Sequence, residues 1–169
     1  MKKSTKIGIL LLRSGILYIK DISLLNKNNK GSHMCRKLYD FSEADIEEYL
    51  KKFNKCLDNG RYTISRNRNK NDRYMLRYDI NNSKALDILK SINVKDFCFA
   101  MENEHEDYKD EILYQFCKEV ELVVRGELVN LDIFIKINLI ENKGFVIVVS
   151  FHNYDRDKDG NIPYLFRQK

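Results

Sequence analysis

Residues 131–152, LDIFIKINLIENKGFVIVVSFH, constrain the fold of this chain more than any other stretch. Apolar and polar side chains alternate with a period of two on both sides of a turn-forming ENKG, the mark of an antiparallel hairpin with one buried face. Asn142, Lys143 and Gly144 fit a three-residue loop whose last position lies in the left-handed region that glycine tolerates best. Counting outwards, Ile135, Ile137 and Leu139 share one face with Phe151, Val149 and Ile147. Phe134, Lys136, Asn138 and Ile140 share the other with His152, Ser150, Val148 and Val146. A slip of one residue would carry a lysine into the apolar set, so amphipathicity selects this pairing. The pairing predicts that Lys136, Asn138, Ser150 and His152 cluster on one side of the hairpin.

At 169 residues the chain is long enough for a single domain with its own core, without metal or disulfide staples. Its net charge of +5 is an N-terminal property, because residues 1–33 carry seven basic residues against Asp21 alone. Residues 34–169 are close to neutral but polarised: Arg61, Arg66, Arg68, Lys70, Arg73 and Arg77 face only Asp72 in their stretch, and residues 96–121 are strongly acidic. Cys35, Cys56, Cys98 and Cys117 are widely spaced, with no CxxC pair and three histidines in the chain. That spacing argues against a zinc ribbon or finger and for reduced thiols in a cytoplasmic protein. The opening KKSTK and apolar residues 7–12 imitate a secretory leader, but the run stops at Arg13 without a small-residue cleavage site. Residues 1–33 therefore read as a basic extension, in which residues 7–25 are either a hairpin about Ser14 and Gly15 or sequence upstream of a start at Met34. No apolar run is long enough to span a bilayer, so no membrane association is expected.

Along residues 34–169, Ser42 is an N-cap with Asp45 three residues on. Ile46, Tyr49, Leu50, Phe53, Cys56 and Leu57 recur at helical spacing until Gly60 stops the helix. Residues 61–66 read as a short strand with Tyr62 and Ile64 inward, 67–71 as a polar loop and 73–78 as a short helix. Ser83 would cap a further helix with a stripe of Ala85, Leu86, Ile88, Leu89 and Ile92, and 93–100 reads as a turn or short helix. Residues 101–111 form an acidic loop, and 112–124 a strand that ends at an Arg125-Gly126 turn. Helices first and most strands last give an α+β layer, with an antiparallel sheet of about four strands packed against two or three helices.

The segments GRYTISR (60–66), VKDF (94–97), YQFCKEV (114–120), FIKI (134–137) and VIVVSFH (146–152), in this order and spacing, resemble the MqsR-type toxins of bacterial type II toxin-antitoxin systems, a branch of the RelE-like ribonucleases. The resemblance covers most of residues 42–166 and none of 1–33. It implies a compact RelE-like α+β domain that cleaves mRNA without a metal or other cofactor, inhibits translation and growth, and is silenced by a cognate antitoxin that commonly carries a helix-turn-helix domain. It also implies site residues. Gln115 matches an active-site glutamine, Lys136 the lysine of a YxK-like strand, and His152 a position held by a C-terminal lysine or, in the wider family, a histidine. Phe134 stands where a catalytic tyrosine is usual, and Phe99 where a second functional lysine is usual.

Cleavage of RNA without a metal requires a base for the 2′-OH proton, an acid for the leaving 5′-oxygen and positive charge near phosphorus. An imidazole, which titrates near neutrality, suits either proton role at His152, and Lys136 suits the charge. His152 would equally suit a satisfied hydrogen bond at a sheet rim. Arg61, Arg66, Arg68, Lys70 and Arg73, with Tyr62 nearby, suit phosphate contacts and base stacking, or else a solvated basic loop. His105 lies in the acidic loop and reads as exposed. Residues 155–160 (DRDKDG) open like a calcium-binding loop, but Phe166 stands where the twelfth-position glutamate is needed, so a polar turn is the ordinary reading. Three functions follow: a metal-independent mRNA endoribonuclease, a non-catalytic RNA- or protein-binding relative of the same fold, and a calcium-responsive module built on residues 155–160.

Overall fold

The computed structural model describes residues 36–66, 69–103, 108 and 110–167. The basic extension, Arg68 and His105 lie outside them. Within the described residues the elements run β1 (Lys37–Leu38), α1 (Glu43–Asp58), β2 (Tyr62–Ile64), α2 (Asn69–Arg77), α3 (Asn82–Lys90), β3 (Phe97–Glu102), β4 (Ile112–Val124), β5 (Glu127–Ile140), β6 (Phe145–Asn153) and the single turn α4 (Arg156–Asp159). The class is α+β, and the strands form a six-stranded sheet in the order β1-β3-β4-β5-β6-β2. It is mixed rather than wholly antiparallel, because β2 runs parallel to β6.

The expectation of about four strands missed β1 and β3. β1 is two residues long. In β3, Phe97 through Ala100 are all buried, so the strand shows none of the alternation by which a half-exposed strand is recognised.

Helix α1 forms as its sequence dictates. Ser42 and Asp45 make a reciprocal capping box, and the six apolar residues of the stripe are its buried face. α3 starts two residues earlier than expected, with Asn81 rather than Ser83 as its cap. These helices and α2 cover one face of the sheet. Phe53, Ile46, Leu89 and Ala85 meet Phe116, Ile133, Ile135, Ile137, Val148 and Phe151 in a single cluster. Across the sheet, a smaller cluster of Cys98, Phe99, Cys117 and Ile162 is flanked by Tyr154 and Tyr164 of the C-terminal tail.

The tail is fastened by ions. Asp96, 2% exposed, pairs with Lys118 and Arg167, each at 2.9 Å, and Arg167 also reaches Glu119 at 3.0 Å.

Between β4 and β5 the Arg125-Gly126 turn has φ of 53° and 87°, and Val124 pairs with Glu127. Positive φ at both central residues is the two-residue turn whose twist suits a hairpin. The β5–β6 hairpin departs from expectation. Its loop has four residues, a 3-10 turn at Glu141–Lys143 closed by Gly144 at φ 52°, so Ile140 pairs with Phe145. Near the loop the register is therefore shifted by one residue. Val146 and Val148, expected beside Lys136, are fully buried on the helix side, and Asn138 faces Ile147. A β-bulge at Val149 absorbs the extra residue: Ile137 pairs with Val148 while Lys136 pairs with Ser150. Beyond the bulge the expected register returns, with Ile135 opposite Phe151 and Phe134 opposite His152.

Asn71 closes this bulge. Expected in a polar loop, it is fully buried in α2. Its carboxamide donates to the carbonyls of Ser65 (2.8 Å) and Val149 (3.2 Å) and accepts from the Phe151 amide (3.0 Å). β2 ends at Ile64, so without Asn71 the bulged stretch of β6 would present unpaired backbone at a buried edge.

Candidate active site

The ladder registers bring the three expected catalytic residues onto the face away from α1–α3. Gln115 on β4 stands opposite Lys136 on β5, and Lys136 opposite Ser150 on β6. In the adjacent row Cys117 faces Phe134 and Phe134 faces His152. Directly opposed side chains in an antiparallel pair start about 4.5–5.5 Å apart and diagonal ones about 7–8 Å apart. His152 is thus a diagonal neighbour of Lys136, and Gln115 a direct one. The imidazole and the ammonium share a face, as the alternation predicts.

Gln115 and Ser150 are almost closed to solvent, at 3% and 2% exposure, while Lys136 and His152 are half-buried. The Gln115 side-chain amide donates to the Met101 sulfur, which fixes its orientation. His152 Nδ1 lies 2.9 Å from the Asn153 carbonyl. A carbonyl only accepts, so Nδ1 carries a proton and in the neutral ring Nε2 holds the lone pair. The Phe134 ring lies 5.3 Å from the imidazole, tilted by 30°. It shields one side of the ring and offers no hydroxyl. Asn138 is 6% exposed and donates to Glu111 at 2.6 Å, which Asn103 also contacts at 3.1 Å. Its role is to pin the base of the acidic segment.

The basic residues do not form one patch. Arg61 clasps the hairpin turn, donating to the carbonyls of Gly144 (2.8 Å) and Lys143 (2.5 Å). Arg66 is held by Asp72 (2.7 Å) and Asn82 (2.9 Å). Tyr62 is half-buried on the edge strand β2, opposite Val146. Lys70 and Arg73 are exposed on α2, the helix that Asn71 ties to β6 and whose Tyr74 ring meets Phe151 at 6.3 Å. Of the expected contacts, Tyr62, Lys70 and Arg73 lie on the two elements beside β6, namely β2 and α2.

A cavity of about 550 Å³ lies elsewhere, between the C-terminal half of α1 and the β5–β6 turn, lined by Lys52, Lys55, Arg61, Glu141 and Lys143. Lys52 and Arg61 there are already engaged by Glu141 and backbone carbonyls. The DRDKDG segment is helical rather than a cation loop, with Asp155 as the cap of α4, accepting from the Lys158 amide. Among the described residues no three His, Cys, Asp or Glu side chains are placed to hold a metal ion, and no helix is long and apolar enough to cross a membrane.

Burial raises the thiols of Cys98, to about 12, and of Cys117, further still. They are packing residues rather than nucleophiles.

The sequence alone missed Asn71, Asp96 and Lys37. The last projects from β1 with its ammonium 4.5 Å from the centre of the Phe99 ring. Asn71 and Lys37 acquire their contacts from strands distant in sequence, with no local signal, whereas Asp96 also closes a local capping box with Asn93 that its spacing could have shown. Set against protein-family models, curated proteins and solved structures, the chain matches none.

Proposed function

We propose that this protein is a metal-independent endoribonuclease acting on mRNA in the cytoplasm, a growth-arresting toxin of the MqsR type restrained by a cognate antitoxin. The observation that supports it best is the placement of Gln115, Lys136 and His152 in adjoining rows of one sheet face. Hairpin alternation accounts for Lys136 and His152 sharing a face, and the β4–β5 register adds Gln115, which the resemblance alone singled out.

In this reading single-stranded RNA lies across β4–β6. Nε2 of His152 takes the 2′-OH proton, the 2′-oxygen attacks the adjacent phosphorus, and the bond from phosphorus to the 5′-oxygen breaks, leaving a 2′,3′-cyclic phosphate and a 5′-hydroxyl. Lys136 balances the charge that gathers on the phosphoryl oxygens, and the fixed Gln115 amide orients them. Phe134 supplies no proton, so the leaving oxygen is protonated from solvent and the reaction is slow. Lys70 and Arg73 add sequence-independent phosphate attraction along the β6 edge.

Induced expression of the full chain should halt growth and fragment transcripts, and His152→Ala should relieve both while keeping the native circular dichroism spectrum. Phe134 favours a second reading, a relative that binds RNA without cutting it. Binding of an RNA oligonucleotide with no fragments would establish that reading instead.

A further inference from the structure

We propose that β1 extends this site, with Lys37 and Tyr39 contacting the same single-stranded RNA upstream or downstream of the bond that is cut. The inference rests on the nuclease reading and deepens it by adding the N-terminal edge strand to the substrate track.

Lys37 pairs with Met101 and Leu38 with Ala100. Ala100 and Leu38 pack into the helix-side core, so Lys37 and Tyr39 project to the opposite face. Their contacts agree: the Lys37 ammonium sits over Phe99, and the Tyr39 ring lies 5.6 Å from the same ring. Phe99 in turn pairs with Gln115, and Gln115 with Lys136. One row therefore crosses the sheet from Phe99 through Gln115 to Lys136 and Ser150, and Lys37, opposite Met101 in the neighbouring row, leans over its Phe99 end.

Strands in a sheet stand about 4.7–4.9 Å apart, so the two ammonium groups arise from strands three spacings apart, with the glutamine's strand between them. Tyr39 is 47% exposed and Lys37 exposed, although an edge strand could have buried the aromatic. An exposed ring alternating with a cation is what a single strand of nucleic acid needs, a face for a base and a charge for the next phosphate.

The test uses the full chain and a fluorescent single-stranded RNA oligonucleotide. Affinity is measured by anisotropy over a range of salt concentrations, and cleavage by gel. Lys37→Ala should weaken binding about tenfold at low salt and make the dependence of log K on log[salt] shallower by about 0.7, the contribution of one phosphate contact to a single strand. Lys37→Arg should restore both. Tyr39→Ala should weaken binding at least fivefold without changing the salt slope. A purely structural role for Lys37 would leave the slope unmoved. If the wild type cuts the oligonucleotide while Lys37→Ala matches it in affinity and slope, the β1 contact is wrong and the nuclease reading stands. If the wild type neither binds nor cuts, both fall.

Discussion

The Asn71 carboxamide holds the Val149 carbonyl at 3.2 Å across the edge of β6. This one contact decides which way the next residues of the strand point. Val149 is the bulged residue, and the bulge lets Val146 and Val148 enter the core while Ser150 and His152 align with Lys136 and Phe134.

Replacing Asn71 by alanine removes its hydrogen bonds and leaves the Phe151 amide and the Val149 carbonyl buried without partners. Each buried orphan costs about 1–3 kcal/mol, so Asn71→Ala should destabilise the fold by about 2–4 kcal/mol in urea titrations. An unchanged midpoint would mean that the bulge is held by something else.

Asp96 accepts from Lys118, Arg167 and the Asn93 amide. Removing one member of a buried ionic cluster strands its partners, at about 3–5 kcal/mol. Asp96→Ala should fall near the lower end, because Lys118 and Arg167 retain 15% and 30% exposure. Limited proteolysis should then clip the C-terminal tail before the sheet, since Arg167 is its clasp.

The thiols predict an alkaline limit. Burial raises Cys98 from 9.0 to about 12 and pushes Cys117 up as well. A group whose pKa is higher folded than unfolded stabilises fully below the unfolded value, and that stability is lost as pH rises towards the folded one. Urea midpoints should therefore be flat in this respect to about pH 9 and fall between pH 9 and 12. In a Cys35→Ser background, Ellman's reagent at pH 8 should label the native protein slowly and the unfolded protein at once.

Much of this arrangement was legible in the chain. The α1 stripe, the β4 strand and the outer rows of the β5–β6 hairpin follow from periodicity that each segment carries by itself. What failed to show depends on distant partners. β3 is buried on both faces, and β2 runs parallel to a strand more than eighty residues later. The inner rows of the hairpin were misread because one additional loop residue and one bulge cancel farther out. For the same reason Lys136 and His152 emerged together while Val146 and Val148 did not.

Phe134 offers a gain-of-function test. Its ring is 5.3 Å from the imidazole of His152, so Phe134→Tyr places a phenol beside the site. If the wild type is slow for want of an acid, the variant should cut RNA about 100 times faster, the lower end of the usual range for one general acid, with KM little changed. Equal rates would assign the leaving-group proton to another residue.

The central claim is that Gln115, Lys136 and His152 act as one site. The direct measurement is cleavage of a labelled single-stranded RNA by the purified protein in EDTA, with the ends of the fragments identified. The account predicts 2′,3′-cyclic phosphate ends, and losses of about 100-fold or more for His152→Ala and Lys136→Ala with native stability retained. Intact RNA with the wild type, or fragments produced equally well by both variants, would contradict it.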